Sequence, residues 1–155
     1  MNSQISHPLV TVVIATYNSK KTLRIALESV LWQTFQNFEV WVIGDCCTDD
    51  SEKVVSSFND SRLNWFNLPK NSGYQAEPNN EGLRRAKGKY IAYLNHDDIW
   101  LRDHLDLLVN ALEKNNADFA YSILGYVFHL GPAHPHIPIY PNAIQTPEAS
   151  SIMHR

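Results

Sequence analysis

The sequence has few of the features that mark secreted, membrane-spanning or nucleic-acid-binding proteins. Its only two cysteines, Cys46 and Cys47, are adjacent and can bridge only with backbone strain, so we expect no disulfide framework. No apolar run approaches the roughly 20 residues that span a bilayer, and no basic N-terminal segment precedes a long apolar stretch. A net charge of −3 implies no general affinity for nucleic acid. We expect a cytoplasmic protein without a transmembrane segment, and leave peripheral membrane association open.

Three common sequence patterns of enzymes are also missing. No G-x-G-x-x-G and no G-x-x-x-x-G-K-[ST] occurs, which disfavours dinucleotide oxidoreductases and P-loop proteins. No G-x-S-x-G occurs, which disfavours an α/β-hydrolase. What is present is 155 residues that are 44% hydrophobic and 11% aromatic, enough for one packed domain.

Strand-like apolar runs alternate with segments of helical spacing. Leu9–Ala15 is nearly unbroken and rich in β-branched residues, as in strands buried on both faces. The same reasoning predicts strands at 38–43, 63–66, 90–94 and 118–130, with one more beginning within 149–154. It predicts helices at 20–34, 51–58, 79–87 and around 101–112, with residues 69–78 as a loop and Gly88 as the stop of the third helix. This alternation predicts an α/β fold with a mostly parallel sheet and flanking helices.

Polar residues follow three of the predicted strands, at Thr16–Asn18, Asp45–Asp50 and Asn95–Asp98. Parallel strands joined by right-handed crossovers bring their carboxyl ends to one edge of the sheet. Because open α/β sheets bind ligands at that edge, we expect these clusters to form one binding site.

Each cluster has a second interpretation. Oxygen ligands from Asn95–Asp98 suit Mg²⁺ or Mn²⁺, but Asp97 or Asp98 would equally serve to cap the following helix. Asp45 would accept hydrogen bonds from a nucleobase or ribose, or would act as a turn residue, with Thr48–Asp50 supplying the next N-cap. We interpret the two cysteines as loop residues rather than nucleophiles, and His129, His134 and His136 as a solvated loop without zinc spacing.

Taken in order, the motifs resemble those of the family 2 glycosyltransferases, enzymes of the Rossmann-like GT-A nucleotide-diphospho-sugar transferase fold. The resemblance covers residues 8–115 and is carried by six stretches: Val10–Asn18, Ala26–Thr34, Phe38–Val40 with Asp45, Asn71–Gly73, Gly82–Leu83 with Ala86–Ala92, and Asn95–Trp100. It implies an inverting transfer of sugar from a UDP-, dTDP- or GDP-sugar to the hydroxyl of a glycan or lipid-linked acceptor. Polysaccharide or glycoconjugate synthesis is the implied setting.

The resemblance also implies roles for individual residues. The residues implied to bind the nucleotide-sugar are Ala15, Thr16, Tyr17, Asn18, Asp45, Asn71, Gly73, Asn80, Asn95 and His96. Asp97, the last acid of a DxD-like motif, and Asn95 would bind a divalent cation, Mg²⁺ or Mn²⁺. The chain departs from the family at three positions: Asn95 replaces the usual first Asp of the motif, Gly44 replaces an acid, and Asn79 stands where many members have Arg.

No catalytic base is assigned. Inverting transfer needs a carboxylate that takes the acceptor's proton, and Glu148 is the only acid after Asp118. We therefore expect residues 1–7 to be a tail, 8–130 the nucleotide-sugar-binding domain, and 131–155 a proline-rich loop and the start of the acceptor half, with the base beyond Arg155. The alternatives are a nucleotide-binding module without turnover and, less favoured, a receiver-like signalling domain.

Overall fold

The computed structural model describes residues 7–122 and 152–154. Ten elements alternate along these residues. The strands are β1 (Val10–Thr16), β2 (Phe38–Gly44), β3 (Leu63–Asn67), β4 (Tyr90–Tyr93), β5 (Phe119–Tyr121) and β6 (Ile152–His154). The helices are α1 (Lys20–Leu31), α2 (Ser51–Ser57), α3 (Ala76–Arg85) and α4 (His104–Asn115).

All six strands form one sheet in the order β3-β2-β1-β4-β6-β5. Strands β3, β2, β1 and β4 are parallel, with Val10 of β1 level with Phe38 of β2 and with Tyr90 of β4. Strand β6 is antiparallel to both of its neighbours, β4 and β5. The mostly parallel α/β sheet predicted from the sequence is confirmed, and β6 falls within the segment predicted to begin one more strand.

The core lies around β1, whose seven residues are all buried. Helix α1 buries a stripe that includes Leu23 and Leu27, and α4 buries one that includes Leu105 and Leu112. Spacings of three and four residues place such side chains on one face of a helix. The prediction that β1 is buried on both faces is therefore confirmed. Its nearly unbroken apolar run is explained by the helices and neighbouring strands that exclude water from it.

The third helix differs from its prediction at both ends. It begins at Ala76, so that Pro78, predicted to end a loop, is its third residue. Proline is tolerated there because the first N–H groups of a helix have no acceptor within it. The helix ends at Arg85, followed by an extended Ala86, so Gly88 is not its stop. A Cβ atom on Gly88 would contact the backbone nitrogen of Thr11 and lie 2.7 Å from the carbonyl carbon of Val10. Close approach to β1 therefore explains this glycine.

A buried polar cluster joins the chain near Gly88 to the first two strands. Glu39, only 9% exposed, accepts hydrogen bonds at Oε1 from the Thr11 hydroxyl (2.8 Å) and the Lys87 backbone N–H (2.8 Å). The Thr11 hydroxyl oxygen accepts one from the Gly88 N–H (2.9 Å). Satisfied in this way, a buried carboxylate fixes the entry to β4 against the sheet.

Several predictions concern residues outside the described ranges. Strand β5 begins at Phe119, as predicted to within a residue, but 123–130 cannot be compared. The proline-rich loop at 131–147 and the three histidines 129, 134 and 136 also lie outside. Among the helices of 7–122, none is long and apolar enough to cross a membrane.

Candidate functional site

A pocket of about 320 Å³ opens where the carboxyl ends of β1, β2 and β4 meet the loop before α3. Seven of the predicted nucleotide-sugar residues line it: Ala15, Thr16, Tyr17, Asp45, Asn71, Gly73 and His96. The strand-end clusters therefore converge as the fold requires.

Sequence reasoning missed three lining residues: Tyr74, Gln75 and Pro78. Tyr74 and Gln75 follow directly on the Asn71–Gly73 motif, and Pro78 lies in the first turn of α3. All three lie within residues 69–78, which the sequence predicts to be a loop. Their position was the available signal, since a loop that supplies two lining residues brings its next residues to the same place.

Tyr17 and Asn18 are adjacent in the loop after β1 but have different roles. The Tyr17 side chain is 52% exposed and faces the pocket. Asn18, in the left-handed backbone region at φ 46°, is not among the lining residues. Its Oδ1 accepts hydrogen bonds from the N–H groups of Thr48 (2.8 Å) and Asp49 (3.2 Å). Asn18 therefore holds the loops after β1 and β2 together, in a conformation that asparagine tolerates better than most residues.

Asp45, after β2, holds the loop at residues 71–73 in place beside the pocket. Its carboxylate, 5% exposed, accepts hydrogen bonds from the Ser72 N–H (2.8 Å), the Ser72 hydroxyl (3.0 Å) and the Gly73 N–H (3.3 Å). The Asn71 amide donates to the Asp45 carbonyl at 3.0 Å. The interpretation of Asp45 as a local turn residue is wrong, because these partners lie 26 to 28 residues away along the chain. The N-cap predicted within Thr48–Asp50 is confirmed, since Asp50 is the N-cap of α2. Asp45 instead shapes the loop that carries Asn71 and Gly73 into the pocket.

The loop after β4 is a tight turn in which the Asp98 N–H donates to the Asn95 carbonyl at 3.2 Å. The Asn95 amide donates to the Asp98 carboxylate (2.9 Å), and its Oδ1 accepts from Gln75 (3.4 Å). Asp97 is exposed. The capping interpretation is wrong for Asp97 and Asp98, because α4 begins only at His104, with Asp103 as its N-cap.

His96 leans away from this turn towards β1. Its Nδ1 lies 3.2 Å from the Ala15 carbonyl oxygen, and its half-buried ring lines the pocket. This contact links the end of β4 to the end of β1.

The residues predicted to bind metal supply part of a coordination shell. No group of three or more His, Cys, Asp or Glu side chains within 7–122 is arranged to hold a metal ion. Neither Asn95 nor Asp97 is among the residues that line the pocket. The exposed Asp97 follows the pocket residue His96 in sequence, and Asn95 Oδ1 accepts a long hydrogen bond from Gln75. One or two carboxylates completed by substrate phosphates are a usual shell for Mg²⁺. The donor set fits a cation that arrives with a diphosphate.

The two remaining predictions concern Asn80 and Cys47. Asn80 is exposed on α3 and is not among the lining residues. Burial raises the pKa of the Cys47 thiol, which donates to the Thr16 carbonyl at 3.4 Å. A raised thiol pKa agrees with the interpretation of this cysteine as a structural loop residue.

Comparisons with known proteins give a consistent result. The family model described as "Glycosyl transferase family 2" matches residues 11–148. The chain is 34% identical over 113 residues to the Escherichia coli UDP-Glc:alpha-D-GlcNAc-diphosphoundecaprenol beta-1,3-glucosyltransferase WfgD, covering 73% of this chain and 44% of that protein. It therefore spans less than half the length of this relative.

Two solved structures share the fold. S. aureus TarS 1-349 in complex with UDP-GlcNAc matches with a TM-score of 0.68 and 29% identity, over 71% of this chain and 32% of that one. The mannosyltransferase PcManGT from Pyrobaculum calidifontis, in complex with GDP-Man and Mn²⁺, matches with a TM-score of 0.68 and 25% identity, over 77% and 36%. With the family model matched over most of its residues, the chain belongs to glycosyl transferase family 2.

Proposed function

We propose that this chain binds the nucleotide-sugar donor of an inverting glycosyltransferase that builds a glycan or glycoconjugate. The observation that carries the proposal is the pocket, in which residues after β1, β2 and β4 meet the Asn71–Gly73 loop. The relatives support it: TarS is seen with UDP-GlcNAc and PcManGT with GDP-Man. The acceptor we propose is a glycan or lipid-linked saccharide, as the name of WfgD says for that protein.

The order of the strands suggests how the donor lies. Asp45 follows β2, Tyr17 follows β1 and His96 follows β4, and these strands are neighbours in the sheet. A nucleotide laid across this edge has its base near Asp45 and Asn71, its ribose beside β1, and its diphosphate near the turn after β4. The exposed Tyr17 ring offers a face for stacking.

In the proposed reaction the acceptor oxygen attacks the anomeric carbon from the face opposite the leaving group. The bond from that carbon to the diphosphate breaks, and the nucleoside diphosphate leaves with the electron pair. A divalent cation held by Asp97 and Asn95 would neutralise the charge that leaves with the diphosphate. Asp45 is a poor candidate for the base that takes the acceptor's proton, because three hydrogen bonds already occupy its carboxylate. We assign the base to no described residue.

Binding measurements with and without metal test the proposal. UDP, dTDP and GDP would each be titrated calorimetrically in Mn²⁺ and in EDTA. We expect one of them to bind more tightly with Mn²⁺, and Asp97→Asn to remove that gain. The loss should be at least about tenfold, since loss of an outer-shell partner alone has an effect of that size. Asp106→Asn is the matched control, since Asp106 is also an exposed aspartate, lies on α4, and is not among the residues that line the pocket.

The outcomes separate the proposal from its alternatives. Absence of binding to all three diphosphates would contradict any nucleotide-sugar function. If the Asp97→Asn variant binds the nucleotide with the same dependence on Mn²⁺ as the wild type, only the assignment of Asp97 as a metal ligand is refuted. Transfer of sugar by this chain alone would show that it contains its own base, contrary to the expectation from the sequence.

A further inference from the structure

We propose that Cys47 is a positioning residue, which holds the backbone on both sides of Tyr17 and thereby sets the direction of the Tyr17 ring towards the nucleotide base. The inference rests on the proposed function, because it needs a base that stacks on Tyr17. It goes further by giving a role in binding to a residue that is not among those lining the pocket.

The sulfur of Cys47 is hydrogen-bonded to both neighbours of Tyr17. The thiol donates to the Thr16 carbonyl at 3.4 Å, and the sulfur accepts a hydrogen bond from the Asn18 N–H, also at 3.4 Å. Because burial raises the pKa of the Cys47 thiol, the thiol keeps its proton at neutral pH and remains able to donate. One side chain therefore holds the backbone immediately before and immediately after Tyr17.

The Tyr17 ring depends on this backbone for its direction. The side chain is 52% exposed, so packing against the protein holds only part of it. The next residue, Asn18, has a φ of 46°, a conformation that residues other than glycine adopt only where their surroundings maintain it. Since the Cα–Cβ bond moves with the backbone, rotation at Thr16 or Asn18 would turn the ring away from the pocket.

The backbone of Cys47 is itself held from the opposite side by Asn67, the last residue of β3. The Cys47 N–H donates to Asn67 Oδ1 at 2.8 Å, and the Cys47 carbonyl accepts from the Asn67 amide at 2.9 Å. Both polar groups of this peptide backbone are thus fixed by one side chain. A continuous link therefore runs from the end of β3, through Cys47, to the loop that carries Tyr17.

Gly44 makes room for this link. A Cβ atom on Gly44 would lie 2.5 Å from Asn67 Oδ1 and 2.8 Å from the Trp65 ring. An acid here, as the family resemblance implies, would therefore displace the Asn67 amide that holds Cys47. The departure at Gly44 and the link through Cys47 are thus explained by the same contact.

A double-mutant cycle tests whether Cys47 acts through Tyr17. Cys47→Ala removes both sulfur contacts, whereas Cys47→Ser keeps a hydroxyl that donates and accepts. Cys46→Ala is the matched control, because the neighbouring thiol contacts the Pro69 carbonyl, at 3.7 Å, instead of the loop after β1. These variants, Tyr17→Ala, and Tyr17→Ala combined with Cys47→Ala would first be shown to be folded by urea unfolding. Each would then be titrated calorimetrically in Mn²⁺ with whichever of UDP, dTDP and GDP the wild type binds most tightly.

We expect Tyr17→Ala to weaken binding at least about fivefold, the effect of losing one stacked base. Cys47→Ala should weaken it about threefold to tenfold, and by no more than Tyr17→Ala does. In the Tyr17→Ala background the same cysteine substitution should change the affinity by less than about twofold, because no ring remains to be positioned. Cys47→Ser should recover most of the affinity, and Cys46→Ala should bind as the wild type does. If Cys47→Ala does not fold, Cys47→Val completes the same cycle, because valine fills the space of the thiol without forming hydrogen bonds.

The inference would be overturned if the loss caused by Cys47→Ala were the same with and without the Tyr17 ring. An equal loss in Cys46→Ala, or an unchanged affinity in Cys47→Ala, would overturn it as well, and nucleotide binding would stand in all three cases. Unchanged affinity in Tyr17→Ala would remove the proposed stacking, and the role of Cys47 with it. Failure of the wild type to bind any of the three diphosphates would overturn the proposed function and this inference together.

Discussion

Because His104 is buried, we expect the free energy of unfolding to fall as the pH is lowered below neutrality. The residue begins α4, is 9% exposed, and stacks on the Trp100 ring with centroids 4.5 Å apart. Its Nε2 is buried without a hydrogen-bond partner among the described residues. Burial lowers the pKa of His104 from 6.5 to about 4, an effect that the neighbouring Asp103 carboxylate only partly opposes.

Proton linkage gives the direction and the size of the change in unfolding free energy with pH. In the unfolded chain the histidine binds its proton below pH 6.5, whereas in the folded protein it resists protonation down to about pH 4. The unfolded state therefore binds more protons within that window, and stability falls as the pH is lowered through it. Lowering the pH from 7.5 to 5 should cost about 2 kcal/mol of unfolding free energy from this residue, at 1.36 kcal/mol per pH unit once titration is under way.

His104→Phe is the informative variant. Phenylalanine keeps a flat ring against Trp100 and removes the titrating group, at the expense of a 3.5 Å contact between Nδ1 and the Ser122 hydroxyl. Urea unfolding of both proteins across pH 5 to 7.5 gives the difference directly, since the carboxylates that titrate in this range are common to both. We expect the wild type to lose about 2 kcal/mol more than the variant. Equal losses would refute the reasoning.

Two further predictions concern a backbone contact and a loop. Gly88→Ala should lower the unfolding free energy by about 2–3 kcal/mol, because the new methyl group meets the backbone of Thr11 and Val10; urea unfolding measures it, and a loss below 0.5 kcal/mol would show that β1 gives way easily. Asp45→Asn should weaken UDP or GDP binding by about tenfold or more, because an amide cannot accept the bonds from Ser72 and Gly73 as the carboxylate does; calorimetry with the folded variant tests this, and unchanged affinity would show that the loop needs no such support.

The parts of the fold that follow local rules were predictable from the sequence. The β-branched run of β1 and the apolar stripe of α1 each encode their element within a few residues. The errors arose where a distant residue decided the outcome. Gly88 resembled a helix stop. A glycine is needed there because a side chain would collide with the backbone of Thr11, which is remote in sequence.

The site shows the same division. That polar strand ends should converge followed from the alternation of strands and helices, because parallel topology dictates it. The commitment of the Asp45 carboxylate to Ser72 and Gly73 could not be foreseen, since no short-range pattern reports a bond that spans 27 or 28 residues. The direction of the Asn95 amide was equally hidden, because it depends on both Asp98 and Gln75.

The place of β6 in the sheet has a consequence for synthesis on the ribosome. Strand β5 is made soon after β4, but it is held in the sheet by β6, which pairs with both. Until residues 152–154 emerge, β4 presents an unpaired edge able to join another nascent chain. At roughly 5–20 residues per second, that exposure lasts on the order of 3–12 seconds. Over that interval nascent copies are open to mispairing, and the sheet depends on a late strand to cover the edge of β4.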